Sequence, residues 1–185
     1  MIFYSDEIIN HMIDTTDVNT MIDEIKQFIE TTRFIITRYS INTISHKYTD
    51  TVISSGENIV VYYCFDNEFS IFNCPSLMIY NRFYDKQNEE IIYFVLLTST
   101  KNGFRNMGFG SKLFDGLKER ICKEKKKYKN IRSKMVLSSL ESSVIFYENY
   151  GFRWTRESLD KYPLLMQYET YEENKEYFIM EYYVE

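Results

Sequence analysis

The segment EIIYFVLLT, residues 90–98, carries seven apolar or aromatic residues in a row with no polar alternation. A strand with one wet face alternates. One that does not alternate must be covered on both faces, which asks for a sheet interior with helices packed above and below. The rest of the chain has to supply that cover, and its pattern changes around this segment.

Before residue 90 the chain reads as helices followed by extended runs. Ser5 is placed to cap a short helix with Ile8, Ile9, Met12 and Ile13 on one stripe. Thr16 or Asp17 caps a second, with Val18, Met21, Ile22, Ile25, Phe28 and Ile29 at spacings of three and four, so 1–33 is expected to be helical. FIITRYSI (34–41) is a first strand candidate. NIVVYYCF (58–65) and EFSIF (68–72) flank Asp66-Asn67 as a hairpin, and SLMIY (76–80) precedes a polar NRFYDKQNE loop. After residue 98 the elements alternate. A loop leads to the helix SKLFDGLKERICKEKKKYK, with Leu113, Phe114, Leu117 and Ile121 inward and a solvated, basic KEKKKYK tail. KMVLSSL (134–140) is a strand, ESSVIFYENY (141–150) a helix stopped by Gly151, and FRWTRES and EYFIMEYYV two closing strands. The fold class expected is α/β (mixed α+β), with a central mixed sheet flanked by helices on both faces. No repeat or linker divides the chain, so 1–185 is read as a single domain.

Composition excludes several classes. A net charge of −5 and a pI near 5.2 argue against a non-specific nucleic-acid binder. Three widely spaced cysteines and two histidines suggest free thiols in a reducing compartment, with no disulfide framework and no metal site. No apolar run is long enough to span a membrane and the first residues are not a signal peptide, so the expected location is cytoplasmic.

Only six glycines occur in 185 residues, and two of them bracket Phe109 in RNMGFGSKLF (105–114), just ahead of a helix. Successive backbone N–H groups at a helix start, freed of side chains at Gly108 and Gly110, suit a phosphate. No Gly-Lys-Ser/Thr and no third glycine follows, which sets aside the P-loop and dinucleotide fingerprints. About 40 residues on, SSLESSVIFYENYGF places Tyr147 four residues before Gly151-Phe152 on a short helix. An Arg-x-x-Gly-x-Gly helix start, then a strand, then Tyr-x-x-x-Gly-Phe resembles the GNAT superfamily of acyl-CoA-dependent N-acyltransferases, over roughly residues 58–184.

The resemblance implies a GNAT-like fold with a mostly antiparallel sheet, and acetyl-CoA as co-substrate bound by Arg105, Asn106, Met107, Gly108, Phe109, Gly110, Ser111 and Lys112. It also implies backbone donors near Leu97, Thr98 or Ser99 for the tetrahedral oxyanion, where the central strand splays from its neighbour. It implies Tyr147 as the acid that protonates the departing thiolate. Glu90 is the favoured general base, with Glu89 and Glu181 as alternatives. A base is needed because a lysine-like amine pays about 4.6 kcal/mol to be neutral at pH 7. Where many relatives carry an asparagine the chain has Leu140, and Ser143 stands in for a common alanine. The helices ahead of residue 34 do not match the family's usual start with a strand. The function expected is transfer of acetyl from acetyl-CoA to a primary amine, on a small molecule or a protein, by a monomer or homodimer. The alternative is a degenerate domain that binds acyl-CoA or a partner without catalysis. The acidic tail, 168–185, suggests a cationic acceptor.

Overall fold

The computed structural model describes residues 1–40, 44–127, 131–168 and 176–185. Seven strands form one sheet in the order β1-β2-β3-β4-β5-β7-β6: β1 (Ile2–Tyr4), β2 (Asn58–Tyr63), β3 (Ser76–Asp85), β4 (Glu90–Thr100), β5 (Arg132–Leu140), β6 (Arg153–Trp154) and β7 (Tyr177–Val184). β4 and β5 pair in parallel, whereas β1–β2, β5–β7 and β6–β7 are antiparallel. Among the described residues six helices accompany them: α1 (Ser5–Thr15), α2 (Val18–Tyr39), α3 (His46–Ser54), α4 (Phe109–Lys125), α5 (Glu141–Tyr150) and α6 (Pro163–Tyr168). Two compact units share these elements, one of residues 1–79 and 97–114, the other of 80–96 and 115–185.

In the first unit, Asp17 caps α2 by accepting from the amides of Asn19 and Thr20. The helix then buries Phe28, Thr32, Ile35, Ile36 and Tyr39. That 3.6-residue period carries it through the segment expected as the strand 34–41, whose last residue lies outside the described ones. Phe34, 62% exposed ahead of the buried pair Ile35 and Ile36, fits a helix and not an alternating strand. α2 packs on the Tyr62 side of β2, with Phe28 edge-on to that ring and Thr32 Oγ1 2.8 Å from its hydroxyl. Tyr63, pointing to the opposite side, meets Phe109 at the start of α4. Helices therefore cover both faces. Ser5 does not cap α1; it is the first helical residue, and its Oγ accepts from Val60 N–H. Nor do 68–72 form a hairpin strand. The chain runs as a loop into a 3-10 turn at Ile71–Asn73, because Pro75 offers no N–H to extend a ladder.

In the second unit, the segment expected as a polar loop continues β3 to Asp85. The Asp85 carboxylate accepts from the amides of Gln87 and Asn88, and Glu89 closes the turn at φ +49°. α4 buries Leu117 and Ile121, and Glu124 near its end accepts from Tyr93 Oη at 2.8 Å. Arg82 pairs with the same carboxylate at 3.0 Å. Gly151 ends α5 at φ +113°, and a Cβ there would come within 3.1 Å of the Tyr182 ring. The expected strand at 152–158 shrinks to Arg153–Trp154, because Arg156 turns away at φ +60°. Residues 128–129 of the basic tail and 169–175 of the acidic one lie outside the described residues.

Candidate active site

β4 and β5 stay paired from Glu90↔Arg132 to Val95↔Leu137, and there the ladder stops. β5 pairs on with β7 as far as Leu140↔Tyr177, while β4 runs to Thr100. Leu97 and Thr98 thus follow the last rung. Leu97 is buried, and the buried Thr98 Oγ1 has no hydrogen-bond partner. Ser99 is held instead: Ser40 Oγ donates to its hydroxyl at 3.2 Å and Ser76 Oγ to its carbonyl at 3.1 Å.

The loop beyond β4 contains three left-handed residues, Gly103 at φ +89°, Asn106 at φ +62° and Gly108 at φ +78°. Gly108 reaches that conformation without the cost a side chain would add, and a Cβ built on it would meet no atom within 4 Å. The first bond of α4 runs from Lys112 N–H to the Gly108 carbonyl at 3.1 Å. The amides of Phe109, Gly110 and Ser111 therefore precede the helix's own ladder, at its positive end. Gly110 is inside the first turn and needs no positive φ.

Around this turn the first unit gathers aromatic rings and three cations, Lys101 among them, its Nζ over the Phe104 ring. Phe65 lies 5.5 Å from Phe104 and 5.6 Å from Phe109, centroid to centroid. Lys112 Nζ donates to Tyr63 Oη at 3.1 Å and sits over the Tyr63 and Phe109 rings. Arg105 is spent on the scaffold: its Nε donates to the Thr100 carbonyl and its Nη2 to the Tyr39 carbonyl, each at 3.4 Å. Asn106 and Met107 are exposed on the turn itself. Sequence reasoning missed Phe65 and Phe104; Phe104 at least sits inside the glycine-bearing loop, whereas Phe65 is brought to it only by the fold.

The second unit holds the titratable candidates. Tyr147 is half-buried on α5, edge-on to Phe146 at 5.1 Å and Phe152 at 5.7 Å. Its carbonyl accepts from the Gly151 and Phe152 amides, which fixes the end of the helix. Glu90 is 4% exposed and is not a lone carboxylate: Lys134 Nζ lies 3.0 Å from it and 3.5 Å from Glu181. Burial opposes the Lys134 charge, but the hydrogen bond and charge of Glu90, with Tyr183 and Glu181, outweigh it and raise the lysine pKa. Two carboxylates share one ammonium, leaving one net negative charge. Glu89 stands apart in the β3–β4 turn. The register explains why the trio was not legible: Lys134 comes beside Glu90 only through parallel pairing across 44 residues, and beside Glu181 through β7. Burial also pushes the nearby Tyr162 phenol up. Among the described residues, no three His, Cys, Asp or Glu side chains converge as metal ligands, and no helix is long and apolar enough to cross a membrane.

Solved structures with a similar fold include acetyltransferases. Tetrahymena GCN5 superposes with a TM-score of 0.59 at 12% identity, covering 86% of this chain and 88% of that one. An acetyltransferase of the GNAT family from Staphylococcus aureus gives 0.54 at 18%, covering 84% and 93%. This is the GNAT fold. Arabidopsis thaliana Naa50, solved with the bisubstrate analogue CoA-Ac-MVNAL, gives 0.51 at 16%, covering 80% and 90%. At such identities the likeness is one of fold. No protein-family model matches the chain, and no curated protein does either. The opening strand β1, absent from the sequence reading, supplies the start that the GNAT fold usually has.

Proposed function

We propose that the protein is an N-acetyltransferase that moves an acetyl group from acetyl-CoA to a primary amine by direct attack on the thioester. The observation that carries this is the helix start after β4. Gly108 is left-handed with open space over its α-carbon, and three amides lead into a 17-residue helix without intrahelical acceptors. A diphosphate fits such a turn by hydrogen bonding and by the helix dipole together. Lys112 adds a positive charge beside it, held by Tyr63 and the Phe109 ring, whereas Arg105 contributes by holding the turn to β4 and α2. Asn106, Met107, Phe109, Gly110 and Ser111 contribute main chain.

In this reading the thioester lies along β4 past its last rung with β5, and the oxyanion is received by main-chain N–H near Leu97 and Thr98. Tyr147 protonates the thiolate that leaves. Proton removal from the amine falls to Glu90 as part of the Glu90–Lys134–Glu181 cluster, acting through water, since Lys134 Nζ already lies against both carboxylates. The cluster's excess negative charge favours a cationic acceptor. A non-catalytic acyl-CoA binder is the second reading, favoured by Leu140 in place of the pantetheine-facing asparagine and by the engagement of Glu90. The test is incubation with acetyl-CoA and a pooled library of amines and peptides, following thiol release. Release that depends on an amine supports the enzyme. A flat signal with intact CoA binding supports the binder.

A further inference from the structure

Cys64 follows β2, and Cys74 follows the 3-10 turn that ends at Asn73. Phe65 donates its backbone N–H to the Asn73 carbonyl at 3.2 Å. In an antiparallel ladder that bond flanks a directly opposed, non-hydrogen-bonded pair, and the opposed residues here are Cys64 and Cys74. The matching bond on the other side would have to come from residue 75, a proline without an N–H, so no strand forms. Opposed residues of this kind have α-carbons about 4.5 Å apart. A disulfide spans roughly 4.4–6.8 Å.

The side chains agree with the backbone. Both cysteines are at most 1% exposed, and each thiol is the largest influence on the other's ionisation. Cys74 Sγ also faces the Ser76 carbonyl at 3.0 Å, and Cys64 Sγ the Ser70 carbonyl at 3.5 Å. The mutual contact favours the thiolate at Cys64 and disfavours it at Cys74. The loop between them is exposed from 65 to 68 and at Phe72 and Asn73, and is the segment that must open for a small oxidant to enter. That loop begins with Phe65, the ring that packs on Phe104 and Phe109 at the glycine turn.

We propose that Cys64 and Cys74 are a redox dithiol that hydrogen peroxide converts to a disulfide, tying off the 65–73 loop and stiffening the adjoining 104–110 turn. The Cys64 thiolate attacks one peroxide oxygen, the O–O bond breaks, and hydroxide leaves to take up the proton that Cys64 lost. Cys74 sulfur then attacks the Cys64 sulfenic acid; the S–S bond forms and water departs with the Cys74 proton. Two thiols are oxidised and one peroxide is reduced to two waters.

The main test uses the full chain with its own residues. After graded peroxide exposure and alkylation of remaining thiols, digestion after Glu68 cuts between the two cysteines. The expected result is two fragments held together until reduced, with a loss of two hydrogens, formed before Cys122 on α4 is oxidised. Hydrogen exchange of 65–73 and 104–110 is expected to slow by roughly tenfold or more in the oxidised protein and to recover with dithiothreitol. In Cys74→Ser, dimedone is expected to trap a sulfenic acid on Cys64. The proposal is overturned if both cysteines stay alkylatable once Cys122 is oxidised, or if Cys64 goes on to sulfinic acid uncrosslinked. It is also overturned if exchange at 104–110 is unchanged. None of these readouts involves coenzyme A, so they stand apart from the acetyltransferase reading.

Discussion

Gly103 and Gly108 offer a matched pair. Both are left-handed, at φ +89° and +78°, and a Cβ at either would meet no protein atom within 4 Å. Alanine at each position therefore costs the same kind of strain, about 1–2 kcal/mol for an L-residue held in that region. For a chain of this size that corresponds to a fall in Tm of roughly 2–8 °C. Because the strain is present with or without ligand, it cancels from a comparison of affinities. Any difference in binding then reports where the new methyl points. Gly108 adjoins the three amides assigned to the diphosphate; Gly103 lies five residues earlier. Gly108→Ala is expected to weaken CoA binding at least tenfold, about 1.4 kcal/mol, while Gly103→Ala leaves it unchanged. Differential scanning calorimetry and titration calorimetry on both variants suffice. Equal losses of affinity, or none at Gly108→Ala, would refute the placement of the phosphates.

Three further outcomes follow from the same geometry. Tyr147→Phe should keep CoA affinity while turnover falls, as parallel CoA titrations and steady-state assays would show. Glu90→Gln should destabilise the fold by roughly 1–3 kcal/mol in urea melts; it removes one partner of a nearly buried ammonium but leaves Glu181 in place. Tyr39, whose hydroxyl donates to the Cys74 carbonyl at 2.6 Å, is pushed up by burial from 10.0 to about 12. A raised phenol stabilises the fold fully below pH 10 and loses that contribution as pH climbs toward 12. Tyr39→Phe should therefore flatten the alkaline decline of the urea midpoint over that interval, and an unchanged slope would exclude Tyr39 as a contributor.

Much of the second half of the chain was legible because its signals are local. EIIYFVLLT had no wet face, Leu113, Phe114, Leu117 and Ile121 kept a helical period, and Gly151 stopped α5 as its left-handed φ requires. The first half misled where local and tertiary preferences diverge. Residues 34–39 have strand-like β-branched content, but Ile35, Ile36 and Tyr39 continue the stripe begun by Phe28 and Thr32, and burial of that face decides the helix. β1 is three residues long and exists because β2 offers an edge. At the candidate site, the glycine turn could be read because left-handed backbone leaves a residue signature. The oxyanion donors could not, being main chain. The Glu90–Lys134–Glu181 cluster and the Cys64–Cys74 contact were equally hidden, since strand register in one case and a single loop bond in the other bring them together.

A backbone amide NMR titration with coenzyme A most directly reaches the main-chain grip on the diphosphate. The N–H resonances of Phe109, Gly110 and Ser111 are expected to shift most, saturably, and to be reproduced by a pyrophosphate-containing fragment of the ligand. Binding that leaves those three resonances in place, or no binding at all, would contradict the assignment of this turn and of the acetyltransferase function built on it.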